Sequence, residues 1–485
     1  MASVDGLITG MSTTDTINQL MQVEAAPQAA LKTKISTANK VVSAYQSVNS
    51  RMSSLVSAAQ ALGSSDAWGA MKATSSSSAA VVSAKAGASP GSLSFHVDKL
   101  ASTQVLTFTG GSITSASDAT GSPAVSGATF DVTLKDGTTK TLTPTDTSLN
   151  SVVSAINGEA NLDYKAAAVQ IGPGKFTLQL TAKDSGATGA TKVTAAKAPT
   201  GLNLGGAATI TVTGDDAKLT VGSTNPYSIT SSTNTFADVL PGVTVTAAQA
   251  QAPADAPVTI NVTADADGIA SKVQALVDNA NVVLNEISSQ SKIKTGNVSA
   301  GALVGDSEVR RIAQDIMSAV SGGAAGLGSG GMTASFNEVG VSVDRKGVLT
   351  FDKQKFLDAY NADPAKTEKY FDSYTDKAGG TAGKFEPGFD TSTGLARKLE
   401  TIGLTASVGV TDPTQPNKAK QGILQSLIER NTNTISGLND QVTEWDVRLD
   451  LRRTALQKQF SGLEVALGKM KSQSTWLAGQ LAGLG

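Results

Sequence analysis

The sequence predicts an α+β protein. A discontinuous helical coiled-coil stem is formed by the N- and C-terminal segments, and two small β-rich head domains are inserted in the middle. Three observations predict this fold: heptad-spaced apolar residues at both ends, strand-like alternation between them, and a change of composition where the patterns change. Residues 75–265 are rich in Ser, Thr, Gly, Ala and Val, and no arginine occurs between Arg51 and Arg310. The length of 485 residues fits about three domains.

The N-terminal segment predicts two helices. The first begins with a cap at Thr13 or Thr14 and is interrupted at Pro27, because proline removes a backbone donor and disfavours helix just before it. Apolar residues then recur at spacings of four and three, with a shift of one position near the middle, which is the pattern of a coiled-coil seam. The predicted seam residues are Leu31, Ile35, Val42, Tyr45, Met52 and Leu55.

The C-terminal segment predicts one long helix, since residues 421–482 contain no proline and keep a similar spacing. At 1.5 Å per residue such a helix is about 90 Å long. The spacing of the apolar residues shifts by one position before Phe460. Such a shift resembles a stutter, which changes the supercoil of a coiled coil locally. Its seam residues are Ile435, Leu438, Val442, Trp445, Leu449, Leu456, Phe460, Leu463 and Leu467. A long helix must bury its apolar stripe on something, and the nearest candidate is the seam at the other end of the chain.

The middle of the chain alternates like strands, and Asp136-Gly137 between two alternating runs predicts a hairpin. A short helix is predicted over Leu149–Ile156, and helices resume from Ile269, with a hairpin ending near Phe351. We therefore expect the following segments: 1–75, N-terminal helical stem; 76–110 with 199–265, inner β-rich head domain; 111–198, outer β-rich head domain; 266–420, helical leg domain with a β-hairpin; 421–485, C-terminal coiled-coil helix.

The sequence predicts no enzyme, with no catalytic, cofactor-binding or metal site. The absence of cysteine excludes disulfides, thiolate zinc sites and cysteine nucleophiles. His96 is the only histidine and lies in an alternating strand pattern, and the glycines of 326–331 lack the strand and helix that a dinucleotide site needs. A net charge of −2 gives no electrostatic basis for binding nucleic acid or an anionic membrane.

The first 21 residues have no basic start and no continuous apolar core, so they are not a Sec-type signal peptide. No run approaches 18 apolar residues, so no membrane insertion is expected. Secretion would therefore need another route.

Residues 6–31, GLITGMSTTDTINQLMQVEAAPQAAL, resemble the opening of the flagellar filament cap family, also called hook-associated protein 2 or FliD. Further blocks at 148–169, 234–246, 301–312, 337–356 and 448–477 are similar to blocks of the same family. The family-motif residues are Gly6, Leu7, Gly10, Met11, Leu20, Met21, Glu24 and Pro27.

The resemblance implies a homo-oligomeric ring at the distal tip of the flagellum, secreted by type III export. Such a ring promotes polymerisation of exported flagellin and prevents its leakage, which filament elongation and motility require. Flagellin, neighbouring hook-associated proteins and an export chaperone at the C-terminal region are the implied partners. The alternative is a hook–filament junction protein or another flagellar axial protein. An exposed Thr-rich head could also act as an adhesin for host glycan or mucin.

Overall fold

The computed structural model describes residues 12–296, 299–377, 381, 383–412 and 415–482. Its helices are α1 (Thr13–Glu24), α2 (Ala26–Gln60), α3 (Ser65–Trp68), α4 (Leu149–Gly158), α5 (Gly186–Lys192), α6 (Ala266–Gln290), α7 (Ser307–Ser321), α8 (Lys353–Ala362), α9 (Pro364–Phe371), α10 (Leu395–Ala406) and α11 (Ile423–Ala482). Its strands are β1 (Met71–Ser75), β2 (Ala80–Ala84), β3 (Gly91–Lys99), β4 (Thr103–Phe108), β5 (Phe130–Thr133), β6 (Thr139–Leu142), β7 (Tyr164–Gly172), β8 (Lys175–Ser185), β9 (Ala208–Val212), β10 (Ala217–Val221), β11 (Tyr227–Ser231), β12 (Thr235–Leu240), β13 (Val243–Ala247), β14 (Val258–Ala264), β15 (Val341–Val343), β16 (Leu349–Phe351), β17 (Tyr374–Thr375), β18 (Thr391–Ser392), β19 (Gly409–Asp412) and β20 (Gln415–Gln421). Long terminal helices and a β-rich middle confirm the predicted fold class.

Residues Ser65–Asp265 form one compact unit with two hydrophobic cores. The first core is shared by a five-stranded sheet, in the order β1-β14-β3-β10-β11, and a three-stranded sheet, β12-β13-β2. Phe95 and Val97 of β3 are buried in this core, while His96 lies on the opposite face of the strand. The imidazole of His96 contacts the carboxylate of Asp98 at 3.1 Å and the carbonyl oxygen of Ala252 at 3.0 Å.

The second core of this unit is built from residues between Leu106 and Ala208. A four-stranded sheet, β7-β8-β4-β9, supplies one part of it, and the hairpin β5-β6 and helix α4 supply the rest. The predicted hairpin at Asp136-Gly137 is confirmed, and Gly137 has a φ of 85°, a conformation that glycine adopts without strain. The predicted helix is confirmed as α4, which buries Leu149, Val152 and Ile156.

The other unit combines the residues up to Ser64 with those from Ala266 onward. Helix α6 buries one dense aliphatic face, including Val273, Leu276 and Val283. The amide of Asn281 on the same helix makes two hydrogen bonds with the backbone of Leu349, at 2.8 and 2.9 Å. These bonds hold the hairpin β15-β16 against α6.

Helix α10 and the hairpin β19-β20 were not predicted from the sequence. The guanidinium of Arg397 on α10 donates a hydrogen bond to the carbonyl oxygen of Gly63, just after α2. It also pairs with Asp372 at 2.6 Å and with Glu400 at 3.0 Å, and the three side chains are at most 13% exposed. Because a buried charge is costly unless it is paired, this network ties α10 to the end of α2.

Gly403 allows α10 to approach α2 closely, since a Cβ at this position would lie 2.5 Å from Cγ2 of Val56. We therefore expect Gly403→Ala to lower the free energy of unfolding of the helical unit by about 1–3 kcal/mol through overpacking. The matched control is Gly437→Ala on α11, where no atom lies within 4 Å of the added Cβ. That substitution should raise stability by about 0.5–1 kcal/mol. Urea unfolding followed by circular dichroism at 222 nm measures both, and equal effects would contradict the proposed packing.

Candidate protein-interaction site: the paired terminal helices

Helices α2 and α11 pack against each other in antiparallel orientation, and α1 extends the pairing. Gln28 contacts the backbone of Val442 and the carboxylate of Asp446. Glu24 lies 3.3 Å from Arg452, so lower residue numbers on one side pair with higher numbers on the other. The two ends of the chain thus form one helical stem.

The predicted seam residues differ in how far they are buried. Tyr45 and Leu456 are buried, with exposed fractions of 5% and 7%. Leu463 is exposed. The half-buried seam residues are Leu31, Ile35, Val42, Ile435, Leu438, Val442, Trp445, Leu449, Phe460 and Leu467.

The remaining seam residues, Met52 and Leu55, are fully buried. They lie in the last part of α2, where α10 packs: Gly403 approaches Val56, and the side chain of Gln60 donates a hydrogen bond to Glu400. The end of α2 therefore belongs to the core of the helical unit.

Helix α1 packs on the middle of α11 through a small apolar cluster. Ile17 and Met21 are buried against Leu456, and Leu449 and Phe460 pack around them. The helix is capped by Ser12, whose hydroxyl accepts a hydrogen bond from the backbone of Asp15, whereas the sequence pattern predicted a cap at Thr13 or Thr14. This small cluster is what holds α1 on α11.

The family-motif residues divide between exposed and contacting positions. Met21 is buried in the α1 cluster, Leu20 is exposed, and Glu24 forms the ion pair with Arg452. Pro27 lies in the first turn of α2, where its missing N–H costs no helical hydrogen bond. The residues Gly6, Leu7, Gly10 and Met11 lie outside the described residues.

Two polar contacts of the stem were missed by the sequence reasoning. The first is made by Gln28, which is buried. Gln28 lies three residues before Leu31 and so continues the seam spacing, and this spacing could have identified it. The hydroxyl of Tyr45 donates a hydrogen bond to Asp306, whose other oxygen caps α7 by accepting from Glu308 and Val309. Burial, and then this hydrogen bond, raise the pKa of Tyr45 well above its usual range.

The last part of α11 carries an exposed apolar stripe. Its side chains recur at helical spacing over residues 463–481, about 30 Å of helix at 1.5 Å per residue. We call this set the terminal stripe; its members are Leu463, Met470, Leu477 and Leu481, which are 48–66% exposed. Exposed apolar patches of this size mark interaction sites.

Within the described residues, no group of three His, Cys, Asp or Glu side chains is arranged to hold a metal ion. None of the described helices combines the length and the apolarity needed to cross a membrane.

Comparison with protein families matches residues 214–472 to the model of the flagellar hook-associated protein 2 C-terminus. The match covers more than half of the chain. The chain belongs to the flagellar hook-associated protein 2 family. Residues 9–104 match the N-terminal model of the same family, so the family models together include most of both stem helices.

Flagellar hook-associated protein 2 of Escherichia coli is 25% identical over 503 residues, covering 99% of this chain and 98% of that protein. The A-type protein of Pseudomonas aeruginosa is 23% identical over 515 residues, again covering 99% and 98%. The lateral protein of Vibrio parahaemolyticus is 29% identical over 143 residues, which is 31% of its length. The crystal structure of the three-domain flagellar cap protein FliD from Escherichia coli aligns with a TM-score of 0.55 at 20% identity, over 80% of this chain and 99% of that one. That likeness supports the same fold.

Leu456→Ala should release α1 from α11, because Leu456 is the residue of α11 that is buried with both Ile17 and Met21. Loss of a buried leucine costs roughly 2–3 kcal/mol, which is a large share of what so small a cluster provides. Hydrogen exchange of residues 13–24 should therefore accelerate, while exchange in α6 stays slow. The matched control, Leu463→Ala, removes an exposed side chain and should leave α1 unchanged. Unchanged exchange in the Leu456 variant would contradict the role assigned to this cluster.

Proposed function

We propose that this protein is the cap at the distal tip of the flagellar filament. In this proposal it is exported, assembles as a homo-oligomeric ring, promotes polymerisation of flagellin and prevents flagellin from leaking away. The helical stem is the leg that contacts the filament end, and the unit of residues Ser65–Asp265 is the head. Family membership supports this assignment, as does the similarity to the Escherichia coli hook-associated protein 2 and to the flagellar cap protein FliD.

The observation that carries the proposal is the terminal stripe on α11. A soluble helix that exposes three leucines and a methionine along one face over some 30 Å needs a protein partner to cover them. Helix-in-groove docking and coiled-coil pairing both use anchors at this spacing. Flagellin at the filament end is the partner we propose, with neighbouring hook-associated proteins as earlier contacts in assembly.

The same surface suits an export chaperone that binds the C-terminal region before secretion. Covering the terminal stripe in the cytosol would keep it from aggregating, because exposed apolar surface promotes association. Chaperone and flagellin would then use the stripe in turn, before and after export.

Replacing the stripe residues Leu477 and Leu481 by aspartate should abolish swimming when the protein is the only cap in a cap-null strain. The charges would have to be buried against the filament without partners, which is costly. Swimming diameter in soft agar and filament length by electron microscopy measure the effect.

The matched control replaces Gln473 and Gln480, exposed polar residues of the same helix, by aspartate. It adds the same charge outside the stripe and should support normal swimming. The amount of cap protein in the culture medium separates a failure of export from a failure at the filament. A secreted stripe variant that still supports full-length filaments would refute the proposed contact.

A further inference from the structure

Helix α2 carries an unbalanced positive charge. Residues 26–60 contain Lys32, Lys34, Lys40 and Arg51 but no acidic residue. Among the described residues, none of the three lysines has an ion-pair partner, and all three are exposed. Lys32 and Lys40 also line an open groove of about 710 Å³ along α2, together with Ser36, Asn39 and Ser43 and, at one end, Gln290 and Ala302. Lys32 and Lys40 thus mark a basic surface with room for a partner.

The facing helix carries the opposite charge in its middle. Residues 429–450 of α11 contain five acidic residues, Glu429, Asp440, Glu444, Asp446 and Asp450, against Arg430 and Arg448. Asp440 and Glu444 are exposed, and neither forms an ion pair within the part of the chain that the structure describes. Helix α11 therefore presents an acidic surface that no described residue of the same chain neutralises.

The two surfaces point away from the stem on opposite sides. Lys40 is two residues from both Ala38 and Val42, which are half-buried against α11, so it lies on the far side of α2. Asp440 is likewise two residues from both Leu438 and Val442, so it lies on the far side of α11. Neither side chain can reach the other within one chain.

The surfaces also lie at similar heights along the stem. Gln28 contacts Val442 and Asp446, which places the region of Lys32 beside that of Asp440 in the antiparallel pair. A rotation about an axis parallel to the stem keeps this height. Such a rotation would therefore carry the basic surface of one copy to the acidic surface of the next.

We propose that the basic surface of α2 docks on the acidic surface of α11 of a second copy, so that neighbouring legs contact each other around the ring. The contact joins two different surfaces, and contacts of this kind form a ring when the rotation from copy to copy closes. Charge complementarity determines which surfaces meet and at what position along the stem, and it contributes less to the affinity between copies. This inference rests on the proposed cap function, because it requires several copies around one axis.

The absence of cysteine allows a direct test on the purified full-length protein. Lys32→Cys and Asp440→Cys are combined in one chain and treated with a short bismaleimide, because ion-paired residues are too far apart for a disulfide. The expected result is a ladder of covalent oligomers on a denaturing gel. Each single-cysteine variant is the control and should stay monomeric on the gel. No ladder from the double variant, or dimers from either single variant, would overturn the proposed contact.

Charge reversal gives an independent measurement. Lys32→Glu with Lys40→Glu should raise the apparent dissociation constant of the oligomer about tenfold in low salt, since several exposed pairs are lost. Adding Asp440→Lys and Glu444→Lys should restore assembly. Lys175→Glu with Lys165→Glu, two exposed lysines of the β-rich unit, is the charge-matched control.

Sedimentation velocity at several salt concentrations reads out these variants. The contact would be overturned if the dissociation constant of the oligomer changed neither with salt concentration nor with the charge reversal. It would also be overturned if the wild-type protein stayed monomeric. Swimming of a cap-null strain that produces each variant measures the cap function separately. A reversal variant that assembles and swims like the wild type rejects the leg contact and leaves the cap proposal standing.

Discussion

A 60-residue helix with one apolar stripe has to bury that stripe on a partner, and this constraint organises the helical unit. Helix α2 and the short helix α1 satisfy it as far as Phe460, by pairing antiparallel with α11. Beyond that point the stripe continues through Met470 and Leu477 and is exposed. The proposed filament contact is the part of α11 that the described residues of its own chain leave exposed.

The strength of the stem changes along its length. At the end of α2, Met52 and Leu55 are fully buried and Arg397 adds a paired, desolvated network. Toward α1 the seam is only half-buried, and the exposed pair of Glu24 with Arg452 contributes about 1 kcal/mol or less. In the proposed cap, a stem that is firm at one end and loosely held at the other would adjust to incoming subunits without unfolding the rest of the unit.

The spacing of apolar residues predicted the helices and hairpins that depend on the local sequence. It did not predict the features that depend on contacts between residues far apart in the chain. The seam spacing predicted the long helix through Leu438 and Val442, and the Asp136-Gly137 turn predicted its hairpin. Helix α10 was not predicted, although Leu395, Leu399 and Ala406 recur at helical spacing. Only the contacts with α2 explain why Gly403 and Arg397 stand in it. The exposure of Leu463 was missed for a related reason: a heptad pattern shows which residues share a face, not whether a partner helix extends far enough to cover them.

Photocrosslinking from the terminal stripe tests the central claim most directly. A photoreactive amino acid at Leu477 is activated in swimming cells, and the adducts are identified by mass spectrometry. The account predicts an adduct with flagellin from Leu477 and none from the exposed Lys175 of the β-rich unit at the same expression level. Adducts with flagellin from Lys175 alone, or from neither position in cells with complete filaments, would contradict the assignment of α11 as the filament contact.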